Sequence, residues 1–392
     1  MAGKTTYLWK LTTRKFSTPF QLKGYRLSAG FWIRFTKDIV NPPPQDEDDL
    51  SENRYKYEPL PDGKRYIRLL ELHPGSGNDP LRGTLHTVQL TESAHGRFDA
   101  LSYVWGDLWR PGSATIDLGG GRNLKIAPNL TDALRQLRYE KRSRTLWVDA
   151  ICINQIDNEE RGQQVQIMTK IYSLCSSVLV WLGLPTPHSR FGMEILAYLA
   201  HSSASLQGDN APWDREESEV VEKSLKDILE RPYFSRLWVV QEAALAPRVV
   251  MHVGLIRVEW KRGAETRRFL MRIKMAELAP SWQQSVLRDA VDLRPVRELL
   301  EQSLAADARR TGKPEAPSLL DVVHSIRNRN VADPRDRIYG VMSLVTPAEV
   351  AGLVPDYSLS WEETYRRFYD LVERRILKDP GATMEEVKEI GG

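Results

Sequence analysis

The run RTLWVDAICI (144–153), the polar-led segment NQIDNEERGQQVQIMTKIYSL and the run SVLVWLG (177–183) constrain the fold more than any other part of the chain. The first and last are strand-length and apolar. The middle one carries apolar residues at helical spacing. Two parallel strands need a long crossover of this kind. A sheet covered on both faces shows unbroken apolar runs instead of alternation. The expected fold class is therefore α/β, a parallel sheet covered by helices. Asp157 and Glu160 have the spacing of a capping box. The helix they start is predicted to reach about Leu174, with Val165, Met168 and Tyr172 on one face.

Other segments extend this frame. KRYIRLLEL (64–72) and GTLHTVQL (83–90) read as strands, and FDALSYVWGD (98–107) as a short buried strand ending in Gly-Asp. SATIDLGGGRNLKIA (113–127) predicts a β-hairpin around three glycines. NLTDALRQLRYEK predicts a helix capped by Asn129 or Thr131, with Leu130, Leu134 and Leu137 inward. Residues 184–230 read as helix and loop, RPYFSRLWVVQEAALA as a helix, and RVVMHVG (248–254) as a strand. Residues 255–317 read as amphipathic helices with a polar loop, ADARRTGKPEAP. Beyond them lie two helices around an Asp-Pro turn and a last helix, with Ser360 and Glu363 as a second capping box. The expected divisions are a basic arm and acidic, proline-bearing linker (1–54), an α/β domain with β-hairpin additions (55–254) and a mostly helical C-terminal region (255–392).

Charge and cysteine content exclude several classes. The net charge of +3 gives no electrostatic case for nucleic acid. No apolar run approaches the roughly eighteen residues of a transmembrane helix. Cys152 and Cys175 sit in apolar company, as buried thiols of a reducing compartment do, and no CxxC or HExxH occurs, so no metal site is expected. Residues 1–37 hold eight Lys/Arg and no acid. The expected location is cytoplasmic, with a mitochondrial alternative drawn from that N-terminus. GKTT at 3–6 resembles the tail of a phosphate loop without its first glycine.

The block LWVVQE (237–242) raises a question of cost. At 3.6 residues per turn counted from Phe234, Trp238, Gln241 and Leu245 share an apolar stripe, and Glu242 stands at its edge. Val239 and Val240 make the opposite side apolar too, as in a buried helix. A buried carboxylate is costly unless paired or hydrogen-bonded. Glu242 therefore either holds a structural partner or faces a ligand pocket. In open parallel sheets ligands bind beyond the carboxyl ends of the strands. Two such ends carry polar groups: Ser102, Tyr103, Trp105, Gly106 and Asp107 on one, Asp149, Asn154 and Gln155 on the other. They converge if their strands are parallel neighbours.

FDALSYVWGD, LWVDAICINQIDNEERGQQVQIMTKIY and YFSRLWVVQEA resemble, in order and spacing, the three signature blocks of the fungal heterokaryon incompatibility (HET) domain. The resemblance covers about residues 64–250, and DPRDRIYGVMSLV and VPDYSLSWEETY resemble the segment that commonly follows that domain. It implies distant kinship to TIR domains and a flavodoxin-like parallel sheet. Some TIR domains cleave NAD with a glutamate in a Trp-x-x-x-Glu helix, and Trp238 and Glu242 have that spacing. By resemblance, Glu242 is the candidate catalytic residue of an NAD(P) glycohydrolase. NAD or NADP would be its substrate and no cofactor would be required. Trp238, Tyr103 or Trp105 would stack on a base, and Asp107, Asn154 and Gln155 would hydrogen-bond the nucleotide. The alternative implied is a non-enzymatic module that self-associates or assembles with other HET or TIR-like proteins in cell-death signalling. Two departures stand out: Val239 replaces the cysteine TIR enzymes often carry after the tryptophan, and NQIDNEERG stands where they have a glycine-bearing loop. The chain, ending in MEEVKEIGG, reads as a short family member or a fragment.

Overall fold

The computed structural model describes residues 53–106, 112, 114–201, 211–214, 216–312 and 317–376, together with an antiparallel pairing of Gln21–Leu22 with Tyr25–Arg26. The rest of the N-terminal arm and linker, Asp107 and the residues after 376 lie outside the described residues.

Nine strands form one sheet: β1 (Tyr66–Leu72), β2 (Leu81–Gln89), β3 (Asp99–Tyr103), β4 (Ala114–Asp117), β5 (Asn123–Ile126), β6 (Arg144–Trp147), β7 (Val178–Trp181), β8 (Arg248–Val253) and β9 (Ile256–Lys261). Their spatial order is β9-β8-β7-β3-β6-β1-β2-β4-β5. Strands β8, β7, β3 and β6 are mutually parallel. Numbered by their own succession, these four lie in the order 2-1-3-4. β1 runs antiparallel to β6 and β2, and the hairpins β4–β5 and β8–β9 close the two edges.

The β-α-β segment forms, but β6 and β7 are not neighbours. They flank β3, and both pair parallel to it. The predicted strand 144–153 stops at Trp147, and Asp149–Cys152 form a single helical turn instead. Residues 255–317 are not all helix and loop, because Ile256–Lys261 pairs with β8 around Gly254, whose φ of 55° suits a tight turn.

The helices longer than four residues are α1 (Pro128–Leu137), α2 (Asn158–Leu174), α3 (Ser189–His201), α4 (Ser218–Leu229), α5 (Trp238–Leu245), α6 (Ala264–Glu277), α7 (Arg294–Arg310), α8 (Leu319–Ile326), α9 (Asp336–Met342) and α10 (Trp361–Ile376). Helix α7 absorbs the first residues of the polar loop expected at 306–317. Asp157 caps α2 by accepting from the Glu159 and Glu160 N–H groups, but the box is half made. The Glu160 carboxylate turns instead to Arg68, at 2.6 and 3.0 Å, and to the Asn154 N–H. The Ser360 box is half made too: Ser360 accepts from the Glu363 N–H, while the Glu363 carboxylate pairs with Arg366 and Arg367. Neither Asn129 nor Thr131 caps α1. Asn129 reaches across to Val104 O (2.7 Å) and accepts from the Trp181 indole (2.9 Å), tying together the ends of β3 and β7.

Helices α3 and α4 approach so closely that a Cβ on Gly192 would stand 2.1 Å from the Ser224 carbonyl oxygen. Backbone cannot yield as a side-chain tip can. Gly192→Ala is expected to destabilise the protein by about 2 kcal/mol or more, measured as a lower denaturant midpoint at unchanged slope.

One apolar cluster runs from Ile67 on β1 to Leu371 on α10. Helix α5 lies within it, packed against β3 and β7, against α2, and against α7 and α9 of the C-terminal region. That position explains a helix apolar on every side.

Candidate functional site around Glu242

The expected long helix through LWVVQE is shorter. Pro232–Ser235 is a 3-10 turn, Arg236 is extended (φ −75°, ψ 143°), and α5 begins at Trp238. The helical phase counted from Phe234 therefore does not carry through. The break has a tertiary cause. Ser235–Leu237 pairs with Asn330, through Leu237 N–H to Asn330 O (3.0 Å) and Asn330 N–H to Ser235 O (2.6 Å).

Along α5 the polar groups separate by partner. The Trp238 indole donates to Asp336 Oδ2 at 2.8 Å, and the Tyr357 hydroxyl donates to Oδ1 of the same carboxylate at 2.7 Å. Burial pushes the Asp336 carboxyl up to about 6, and Asp333 adds to the effect. Trp238 is thus engaged with α9. Gln241 accepts from the Ser343 hydroxyl and donates to Met168 Sδ at 3.6 Å, so its amide joins three helical segments. Leu237 is crossed closely by Gly340, where a Cβ would stand 2.2 Å from Leu237 Cδ2.

Glu242 faces the sheet. It is 3% exposed, and its Oε2 accepts from the Ser102 hydroxyl on β3. Ser102 in turn lies 2.9 Å from the Tyr233 hydroxyl. Among the described residues no guanidinium or ammonium lies within 4.0 Å of the Glu242 carboxylate. Burial pushes its pKa up to about 7, and the negative Asp149 adds to this. The nearby Arg236 charge and the Ser102 hydrogen bond oppose the rise. Ser102 pairs with Val180 across β3 and β7, so the carboxylate sits where the chain leaves β3 for one side of the sheet and β7 for the other.

Beside it is a second group. Strands β3 and β6 are parallel neighbours, and their polar ends meet. The half-exposed Trp105 donates its indole N–H to Asp149 Oδ2 at 2.8 Å. The Ala150 N–H donates to Asp149 Oδ1 at 2.7 Å, and the buried Tyr103 hydroxyl also bonds this carboxylate. Burial raises the Asp149 pKa, against the pull of Arg236. Arg236 donates to the Tyr103 carbonyl and feels both acids. Gln155 folds back onto the Asp149 carbonyl at 2.9 Å, Asn154 gives its backbone N–H to Glu160, and Gly106 is exposed at the rim.

The structure thus joins Ser102 to Glu242, and Tyr103 and Trp105 to Asp149. It turns Trp238 toward the C-terminal region. Three participants were not anticipated from the chain: Arg236, Tyr233 and Asp336. Arg236 carried a signal, as the one cation in an apolar block, two residues before Trp238. Asp336 carried none, because its role depends on a contact across 98 residues.

Chemically the arrangement offers a partly ionised carboxylate in a dry setting, a hydroxyl it can exchange for another, and one cation beside two acids. Among the described residues no group of three or more His, Cys, Asp or Glu could hold a metal ion, and no helix is long and apolar enough to cross a membrane. Burial pushes both free thiols, Cys152 and Cys175, up to about 12, which leaves them unreactive.

No solved structure matches the chain. A curated relative, Heterokaryon incompatibility protein 6, OR allele, from Neurospora crassa, is 29% identical over 349 residues, covering 77% of this chain and 50% of that protein. The chain therefore spans half the length of this relative. Residues 98–242, from the residue before β3 to the buried glutamate itself, match the family model Heterokaryon incompatibility protein (HET). Both findings support a HET domain in this chain, matched over residues 98–242.

Proposed function

We propose that this protein acts in heterokaryon incompatibility, the role named for its Neurospora crassa relative, and that its Glu242 centre cleaves NAD(P) at the nicotinamide–ribose bond. The observation that carries this reading is a carboxylate buried to 3% exposure, bonded to a hydroxyl instead of a guanidinium, near the carboxyl ends of β3 and β7. The 2-1-3-4 order of the parallel strands supports a flavodoxin-like sheet, whose ligands sit at such a reversal point, and with it the kinship to TIR domains.

The chemistry suits the group. As the C1′–N bond breaks, nicotinamide leaves with the electron pair as a neutral molecule, so no strong acid is needed. Positive charge develops on the ribose, and ionised Glu242 stabilises it in a dry site. Water then adds at C1′, giving ADP-ribose (or its 2′-phosphate) and a proton. A ribose hydroxyl can replace the Ser102 hydroxyl as the hydrogen-bond donor to Glu242 at little cost. The two buried thiols fit a reducing compartment such as the cytoplasm.

One observation favours a second reading, a non-enzymatic module acting through self-assembly: Glu242 is closed off and already bonded by Ser102, whose hydroxyl also meets that of Tyr233. Nicotinamide release from NAD and NADP, followed across a protein concentration series, separates the two. The enzymatic reading expects release that climbs faster than in proportion to protein concentration, and a loss of at least about a hundredfold in Glu242→Gln and Glu242→Ala. No release from concentrated or crosslinked wild-type protein would leave the second reading.

A further inference from the structure

We infer that the Glu242 site extends inward to Tyr172, whose phenol hydroxyl is a hydrogen-bond donor held for a hydroxyl- or carbonyl-bearing ligand between α2 and α5. This rests on the reading above and adds to it a residue that contacts the nucleotide sugar.

Tyr172 is fully buried on α2, yet its hydroxyl has no hydrogen-bond partner. The Trp147 indole N–H beside it is likewise without a partner, whereas the polar side chains nearer the strand ends have them: Ser102 with Glu242 and Tyr233, Trp105 with Asp149. The ring is held edge-on against Trp147 at the end of β6, with centroids 5.5 Å apart and planes at 82°. One turn earlier on the same face, Met168 receives the Gln241 amide, so this stripe of α2 meets α5 where Glu242 follows Gln241. Burial raises the phenol pKa, and the charges of Glu242 and Asp149 add to it.

Stability alone gives no reason for a tyrosine here. An orphaned buried hydroxyl costs free energy, and phenylalanine would keep the contact with Trp147 without it. The two acids accept hydrogen bonds from a diol, while Tyr172 donates to the oxygen of the same group. A ribose ring, whose hydroxyls both donate and accept, satisfies both sides at once.

The test uses the full chain and ADP-ribose, which lacks the scissile bond. Tyr172→Phe is expected to unfold at the same or higher denaturant concentration than wild type. It should bind ADP-ribose about tenfold more weakly, the loss of one good hydrogen bond, with a matching rise in KM for NAD. Unchanged ADP-ribose affinity and KM in the variant would overturn the role of Tyr172 while leaving NAD cleavage intact. A marked loss of stability would overturn it too, by making the hydroxyl structural. Wild-type protein that neither binds ADP-ribose nor releases nicotinamide overturns both readings.

Discussion

Replacing Glu160 with alanine is expected to lower the unfolding free energy by about 3–5 kcal/mol. Glu160 and Arg68 form a two-bond pair with side chains 8% and 3% exposed. Arg68 also donates to the Cys152 and Glu58 carbonyls, and Glu160 accepts from the Asn154 N–H. The pair thus braces β1 against the turn that joins β6 to α2. Removing the acid alone strands a guanidinium in a dry place, which is the expensive way to break such a pair. The double variant Arg68→Met, Glu160→Leu should cost much less than the sum of Arg68→Met and Glu160→Leu alone. Urea titrations of wild type, the two single variants and the double variant measure the coupling. A loss under 1 kcal/mol for Glu160→Ala would show that water reaches the pair. This also gives NQIDNEERG a structural part: in this structure its glutamate is committed to a brace.

Glu242→Gln is expected to stop nicotinamide release and to stabilise the fold at alkaline pH. The sign follows from the raised acid. Below its ordinary value of 4.5 the carboxyl is protonated folded or unfolded, and titration contributes nothing. Between 4.5 and about 7 the unfolded chain releases the proton and the folded one keeps it, so stability falls as pH rises. Above about 7 the full penalty applies, about 3 kcal/mol from about 1.4 kcal/mol per pKa unit. Glutamine does not titrate. At pH 8 the variant should therefore exceed wild type by about 1–3 kcal/mol, with part of the gain offset by the new amide N–H groups, and at pH 4.5 the two should converge. Denaturant titrations at both pH values give the comparison. An equal difference at both would mean that Glu242 does not titrate between them. Under the proposed NAD(P) cleavage, in which ionised Glu242 is the active form, activity in the wild type should rise with pH and level off above about 7. More stability with less activity is the pattern of a site whose polar group is kept for chemistry.

Much of the architecture was legible in local pattern. The apolar runs at 66–72, 99–103, 178–181 and 248–253 became strands, and the glycine hairpin formed, because burial and turn chemistry are encoded within a few residues. Asp157 capped its helix for the same reason. The presence of a buried acid at 242 followed from the apolar residues around it, and the three motif blocks carried the family resemblance.

What lay beyond reach depended on partners far away in the chain. The extended Arg236 is imposed by Asn330, and the choice of Trp238 for Asp336 by helix α9. Glu160 met Arg68 instead of completing its own cap, because a buried guanidinium on β1 outcompetes a local N–H. Strand order, too, is a property of the assembled sheet: nothing within 144–183 says that β3 inserts between β6 and β7. Local periodicity records which side of an element is dry. Only the folded chain decides which group stands opposite, and for Glu242 that group is a serine hydroxyl 140 residues away instead of a cation.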